Sequence, residues 1–167
     1  MRGPSRRAAL ASLAHFVAAP GTVVVLVPWL LTGWQAGPLP NTAWPLRLGG
    51  AMLVLGGSAV LVREFVRFAV EGGGSPAPPV PTERLVVTGL YRYVRNPMYV
   101  AVVSAVLGQA ALLGRPVLAA YALVLGAVMW LFVRGYEEPT LRRQFGAQYD
   151  AYRVEVPGWW PRLRPRG

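Results

Sequence analysis

Four long, mainly apolar stretches divide the chain, and the segments between them hold most of the charge. The first, Leu10 to Leu31, carries no charge and is long enough to cross the roughly 30 Å hydrocarbon core of a bilayer. Pro20 and Pro28 lie inside it and predict a kink, which membrane helices tolerate. A cleaved signal peptide is the rival reading, with Arg2, Arg6 and Arg7 as its basic start and Val17-Ala18-Ala19 as the cleavage site. The apolar run continues well past Ala19, which favours a retained helix. The second stretch runs from Trp44 to Phe68. The third, Pro97 to Leu113, covers roughly 25 Å at 1.5 Å per residue. The fourth is Pro116 to Val133. Only Gly114 and Arg115 separate the last two, so they form an antiparallel helical hairpin.

The arginines orient these helices. Arg2, Arg6 and Arg7 precede the first. Arg63, Arg67, Arg84, Arg92 and Arg95 lie between the second and third. Arg134, Arg142, Arg143, Arg153, Arg162, Arg164 and Arg166 follow the fourth, whereas the opposite side has only Arg47 and Arg115. Basic residues accumulate on the cytoplasmic side of short loops. Both termini and the long middle loop are therefore expected in the cytoplasm, with the protein integral to a bacterial inner membrane. The expected fold is all-α: a single polytopic bundle over residues 1–167, with four transmembrane helices and a C-terminal amphipathic helix. Two N-terminal spans occupy residues 1–70. A cofactor-binding loop, the hairpin and the C-terminal segment occupy 71–167.

Composition supports this class. Hydrophobic residues make up 54% and charged residues 14%, against roughly 25% charged in soluble proteins, and the mean hydropathy is +0.39. A net charge of +10 raises nucleic acid as a partner, but topology already accounts for the arginines, so none is expected. The chain has no Cys and one His, His15. That excludes disulfides, thiol nucleophiles and thiolate-held metals, and leaves no His-rich metal site. His15 reads as a polar group satisfied within the bundle.

Between the second and third helices, Glu71 to Thr82 reads EGGGSPAPPVPT, with three Gly and four Pro in twelve residues, and forms a linker. An amphipathic, aromatic stretch then leads into Arg95-Asn96-Pro97-Met98-Tyr99. Asn96 suits a helix N-cap and Pro97 the first helical position. A helix start presents free N–H groups that bind anions. Ala101, Ala105 and Gly108 put small residues on one side of this helix, where another can approach closely. After the fourth helix comes the acidic pair Glu137-Glu138. Its plain reading is two solvated acids in a first helical turn; the sharper one is contact with a cationic ligand. Leu141, Phe145, Tyr149 and Tyr152 follow at helical spacing opposite Arg142 and Arg143, with Gly146 inside the run as a mark of close contact. Val156 to Pro161 reads VPGWWP, and paired Trp suits a membrane interface.

The string TGLYRYVRNPMY, then a short hairpin, then EEPTLRRQFGAQYDAYRVEVPGWWP resembles the isoprenylcysteine carboxyl methyltransferase family and the related phospholipid N-methyltransferases. The likeness covers roughly residues 74–161. It implies a methyltransferase using S-adenosylmethionine at the cytoplasmic face, with a lipophilic small molecule or lipid as acceptor, in contact with membrane lipids. Carried over, Leu85, Val86 and Val87 match the stretch lining the cofactor, and Tyr91 matches the tyrosine of a Gly-x-Tyr motif. Arg95, Asn96, Pro97, Met98 and Tyr99 match an Arg-His-Pro-x-Tyr core. Glu137 and Glu138 match a Glu-Glu pair, of which Glu137 is assigned to the cofactor and Glu138, with Arg134, to catalysis. Two positions depart from the pattern. Asn96 replaces a His, so no general-base role carries over, because Asn does not titrate near neutral pH. Ala101 replaces a Gly.

The residues suit that chemistry independently. Tyr91, Tyr93, Tyr99 and Tyr136 offer aromatic faces to a sulfonium. A Glu can hold the ammonium, while Arg95 and the helix start at Asn96 can take the carboxylate. Arg134 can pair with an acidic acceptor, or snorkel from the end of a span. Two other classes stay open: an NADPH-dependent membrane reductase of related architecture, and a non-catalytic membrane scaffold. Cofactor binding separates them.

Overall fold

The computed structural model describes residues 18–71 and 85–164. His15, Arg84, the basic N-terminal segment and nearly all of the Gly- and Pro-rich linker lie outside these residues, as does the first part of the first apolar stretch. Among the described residues every regular element is helical. Helix α1 spans Ala18–Thr32, α2 Trp44–Glu71, α3 Pro97–Leu113 and α4 Pro116–Phe132. Two short helices follow, α5 (Glu138–Phe145) and α6 (Ala147–Glu155). Two helical segments are long and apolar enough to cross a membrane, Trp44–Glu64 and Pro116–Phe145. Ala18–Thr32 and Pro97–Leu113 are apolar but shorter. In the apolar 18-residue window of each, only 11% and 17% of the residues are buried, whereas the core helix of a soluble protein is mostly buried. Leu55, Leu123 and Val124 on their surfaces stand exposed, as lipid-facing residues do.

The principal packing is α2 against α3. Small residues let the backbones meet: a Cβ on Gly108 would stand 2.7 Å from the Gly50 carbonyl oxygen, and one on Gly57 2.7 Å from that of Ala101. The small-residue face read from Ala101, Ala105 and Gly108 is thus the α2 contact, and Ala101 and Ala105 are buried. Lipid tails are as apolar as leucine, so close van der Waals contact, not apolar burial, holds such helices together. The hairpin between α3 and α4 turns at Gly114, whose φ of +63° is left-handed. Gly37 donates its N–H to the Leu113 carbonyl at 2.7 Å and ties the loop after α1 to this turn.

Pro28 in α1 produces a local change of register. A π turn covers Thr22–Leu26, and the Val27 N–H reaches back to the Thr22 carbonyl. Proline has no N–H to give, so the Val23 and Val24 carbonyls are available to other donors. The Tyr121 hydroxyl on α4 donates to Val23 at 3.0 Å, and Gln109 Nε2 on α3 donates to Val24 at 2.8 Å. A second π turn, Val133–Glu137, precedes Pro139 and carries α4 into α5 without a break. A widened turn accommodates the proline ring.

The C-terminal amphipathic helix differs from expectation. It is two helices, broken at Gly146, where φ is +52° and ψ −129°. That backbone is open to glycine and strained for other residues. Nothing lies within 4 Å of a Cβ built there, so Gly146 provides a corner and not a close contact.

Gly108→Leu should separate α2 from α3 and lower stability by about 1–3 kcal/mol, as overpacking does. Gly49→Leu, on the same helix as Gly50 but with open space around its Cβ, should leave the detergent melting curve unchanged.

Candidate functional site

The chain from Leu85 to Asn96 and the segment from Glu137 to Arg162 form one cluster. Leu85 and Val87 pack on the buried Tyr149, Tyr152 and Val156, with Leu141 and Phe145 beside them. Val86, between them, is half-buried and outside that apolar cluster. A 3-10 turn, Gly89–Arg92, follows. It is fastened from α6, where the Tyr152 hydroxyl donates to the Tyr91 carbonyl at 2.7 Å.

Arg95 ties several parts of the cluster together. Its Nη1 meets Glu138 Oε1 at 2.7 Å and the Tyr149 hydroxyl at 3.2 Å, and its Nε donates to the Val156 carbonyl at 2.9 Å. Glu138 is buried, and its other oxygen lies 3.6 Å from Arg153 Nη2. The side chains of Arg95 and Glu138 are 13% and 11% exposed, so this pair lies well outside bulk water. Burial pushes the Tyr149 phenol up, with Arg95 pulling the other way, which keeps Tyr149 a neutral partner at physiological pH.

The segment after α6 runs along the approach to α3. The Arg95 N–H donates to the Pro157 carbonyl and the Asn96 N–H to that of Gly158, at 2.9 and 3.2 Å, and the Arg162 N–H returns to Tyr93 at 3.0 Å. Asn96 is the N-cap of α3, and Pro97 follows it in the first turn. The Asn96 side chain, however, makes no capping bond: its Nδ2 donates to the Gly158 carbonyl at 3.0 Å. A Cβ on Gly158 would stand 3.2 Å from Arg95 Nη2, so glycine allows this close pass. The two tryptophans of the segment separate. Trp159 stacks on Tyr99 at 6.3 Å between ring centroids, while Trp160 is 83% exposed. Only Trp160 has the exposure expected of an interfacial residue.

Glu137 and Glu138 differ in environment. Glu138 is committed to two arginines. Glu137 accepts a hydrogen bond from the Tyr99 hydroxyl on Oε2 at 3.1 Å, and its Oε1 has no hydrogen-bond partner among the described residues. Glu137 thus offers a carboxylate oxygen beside Tyr99, on whose ring Trp159 stacks. Such a setting suits an ammonium or sulfonium cation.

Most of the residues singled out by sequence therefore gather here: Leu85, Val87, Tyr91, Arg95, Asn96, Pro97, Tyr99, Glu137 and Glu138. Met98 is half-buried on the first turn of α3. Arg134 stands apart. It is exposed, with its guanidinium 5.8 Å from the centre of the Trp130 ring. Sequence reasoning missed Arg153, Trp159 and the Pro157 and Gly158 carbonyls. The VPGWWP string was the available signal, because its Gly permits a close backbone approach.

Glu138→Ala should strand Arg95 and destabilise the fold by roughly 3 kcal/mol, the scale for breaking a buried pair. Glu137→Ala should leave the melting temperature within a degree or so, on the order of the ±0.5 kcal/mol of a neutral change. Thermal unfolding of the two variants in one detergent checks this.

No curated protein matches the chain. Residues 45–148 match the phospholipid methyltransferase family, from the first turn of α2 into the start of α6. This match covers more than half of the sequence and includes the Arg95–Tyr99 core, the hairpin and both glutamates. The chain belongs to the phospholipid methyltransferase family.

Proposed function

We propose that this protein transfers a methyl group from S-adenosylmethionine to a lipophilic acceptor at the cytoplasmic face of a membrane. The family is one of membrane methyltransferases acting on lipid-like substrates. The donor and the cytoplasmic setting are the finer reading. In that reading α1 to α4 all span a bacterial inner membrane, both termini are cytoplasmic, and residues 1–167 act as one domain. The uneven distribution of arginines supports the orientation.

One observation carries the assignment: Glu137, held by Tyr99 on one oxygen, keeps the other for a cation. The donor, when bound, supplies a methyl group on a positively charged sulfur. Glu137 opposes its ammonium group, and Tyr99 and Tyr91 present ring faces to the positive charge. The first turn of α3, which starts at Asn96 and Pro97, directs its dipole and the N–H groups of Met98 and Tyr99 at a carboxylate. Leu85, Val86 and Val87 give an apolar surface for a flat base.

Arg95 and Glu138 act as positioning residues in this scheme. Each is engaged by protein partners, and together they fix the turn that bears Tyr91 and the start of α3. Arg134, at the exposed end of α4, faces outward to meet an acidic group on the acceptor. Asn96 gives hydrogen bonds but no proton transfer, so an acceptor that arrives deprotonated suits this site best. The enzyme's contribution is orientation and exclusion of water.

Calorimetry in mild detergent tests the reading. Wild-type protein should bind S-adenosylmethionine saturably. Glu137→Ala and Tyr99→Phe should each weaken binding by about tenfold or more, the scale of a lost charge-assisted hydrogen bond. Folded wild type that binds no S-adenosylmethionine sinks the proposal, and binding of NADPH instead would move the protein to the reductase class.

A further inference from the structure

The chain after α6, residues 156–162, forms a strap that brings a third segment to the Tyr99–Glu137 pair, and it lies beyond the residues 45–148 that match the family. Two successive residues fix its path. The Pro157 carbonyl accepts from the Arg95 N–H, and the Gly158 carbonyl accepts from both the Asn96 N–H and the Asn96 side chain. Further on, the Arg162 N–H donates back to Tyr93. Trp159 follows Gly158 directly, so its backbone is held between these attachments. Its ring rests on Tyr99, with 6.3 Å between centroids and 27° between planes. Trp160, the next residue, is 83% exposed.

The stack has the electrostatics of a cation site. Its Tyr99 end is tied to the Glu137 carboxylate at 3.1 Å. Arg95 passes beside Gly158, but Glu138 offsets its charge at 2.7 Å, so that charge is not left to repel a cation. Trp159 is half-buried. Part of its ring is shielded from water, and part stays open to a ligand. Tryptophan has the most attractive ring face for a cation, and the contact strengthens as water is removed.

A carboxylate and an aromatic stack attract different cations. An ammonium gives its N–H donors to a carboxylate. A sulfonium has no N–H to give, and an aromatic face attracts it by charge alone. S-adenosylmethionine carries both groups, with three carbons between them. We propose, resting on the methyl-transfer reading, that Trp159 is a binding residue for the sulfonium and favours the charged donor over its neutral product. When the methyl group leaves, the S–C bonding electrons stay on sulfur, and the thioether that results has no charge for the ring to attract. The ammonium opposed by Glu137 is common to donor and product. Glu137 therefore holds both forms alike, and Trp159 distinguishes them.

Calorimetry of the full chain in mild detergent, with S-adenosylmethionine and S-adenosylhomocysteine titrated separately, tests the proposal. Trp159→Leu should weaken S-adenosylmethionine by about fivefold and leave S-adenosylhomocysteine within about twofold, the scale of a partly desolvated cation–π contact. Trp159→Phe keeps a ring and should restore most of the difference. Trp159→Met serves in place of the leucine variant if that one misfolds. An unchanged ratio of the two affinities in the leucine or methionine variant, or an equal loss of both, overturns the proposal, because the ring would then only prop the strap. Wild type that binds neither ligand overturns the methyl-transfer reading and this proposal with it. Wild-type binding of both, with a ratio insensitive to Trp159, overturns this proposal alone.

Discussion

The ion pair between Arg95 and Glu138 is the constraint on which the candidate site rests. It joins residues 43 apart in sequence, from two segments separated by the whole α3–α4 hairpin. Around it the other contacts fall into register. Arg95 also takes the Tyr149 hydroxyl and the Val156 carbonyl, and so holds α6 and the chain beyond it. A mostly buried pair gains little net stability, because desolvating two charges offsets much of their attraction. Its main effect is to enforce pairing: with either partner misplaced, a charge would be left in a poorly solvated interior. The pair therefore specifies which segment meets which, and that arrangement leaves Glu137, one residue away, turned to Tyr99.

Two adjacent acids thus differ through their helical positions. Consecutive residues on a helix point about 100° apart, so Glu138 turns inward to the arginines while Glu137 remains half-buried beside α3. A string of two glutamates does not reveal this. The π turn over Val133–Glu137 contains the first of the two, and the second opens α5.

Much of the fold was legible because it depends on local chemistry. Apolar runs marked the helices, Gly114 and Arg115 marked the hairpin, and Ala101, Ala105 and Gly108 marked the α2 contact. The convergence of the Arg95–Tyr99 and Glu137–Glu138 motifs was legible through resemblance to a family. Other features were hidden because they arise from long-range geometry. Asn96 has the right identity for a cap, yet its side chain is drawn to the Gly158 carbonyl by a segment more than sixty residues away. Gly146 interrupts a well-patterned amphipathic helix, and periodicity alone cannot tell a tolerated glycine from one with positive φ. The paired tryptophans read as a single interfacial signal, but Trp159 turned toward Tyr99.

A proline within the apolar helix α1 leaves two carbonyls to be capped from outside it. Side chains of different helices do so, Gln109 of α3 and Tyr121 of α4. Dispersion contacts vary gradually as a helix rolls, so a helix held by them alone can turn by small angles at little cost. A hydrogen bond is directional and weakens steeply once misaligned. Two such bonds, to carbonyls on successive residues, act as pins in a keyway. They fix the rotation of α1 and its position along its own axis against the hairpin that carries the two donors.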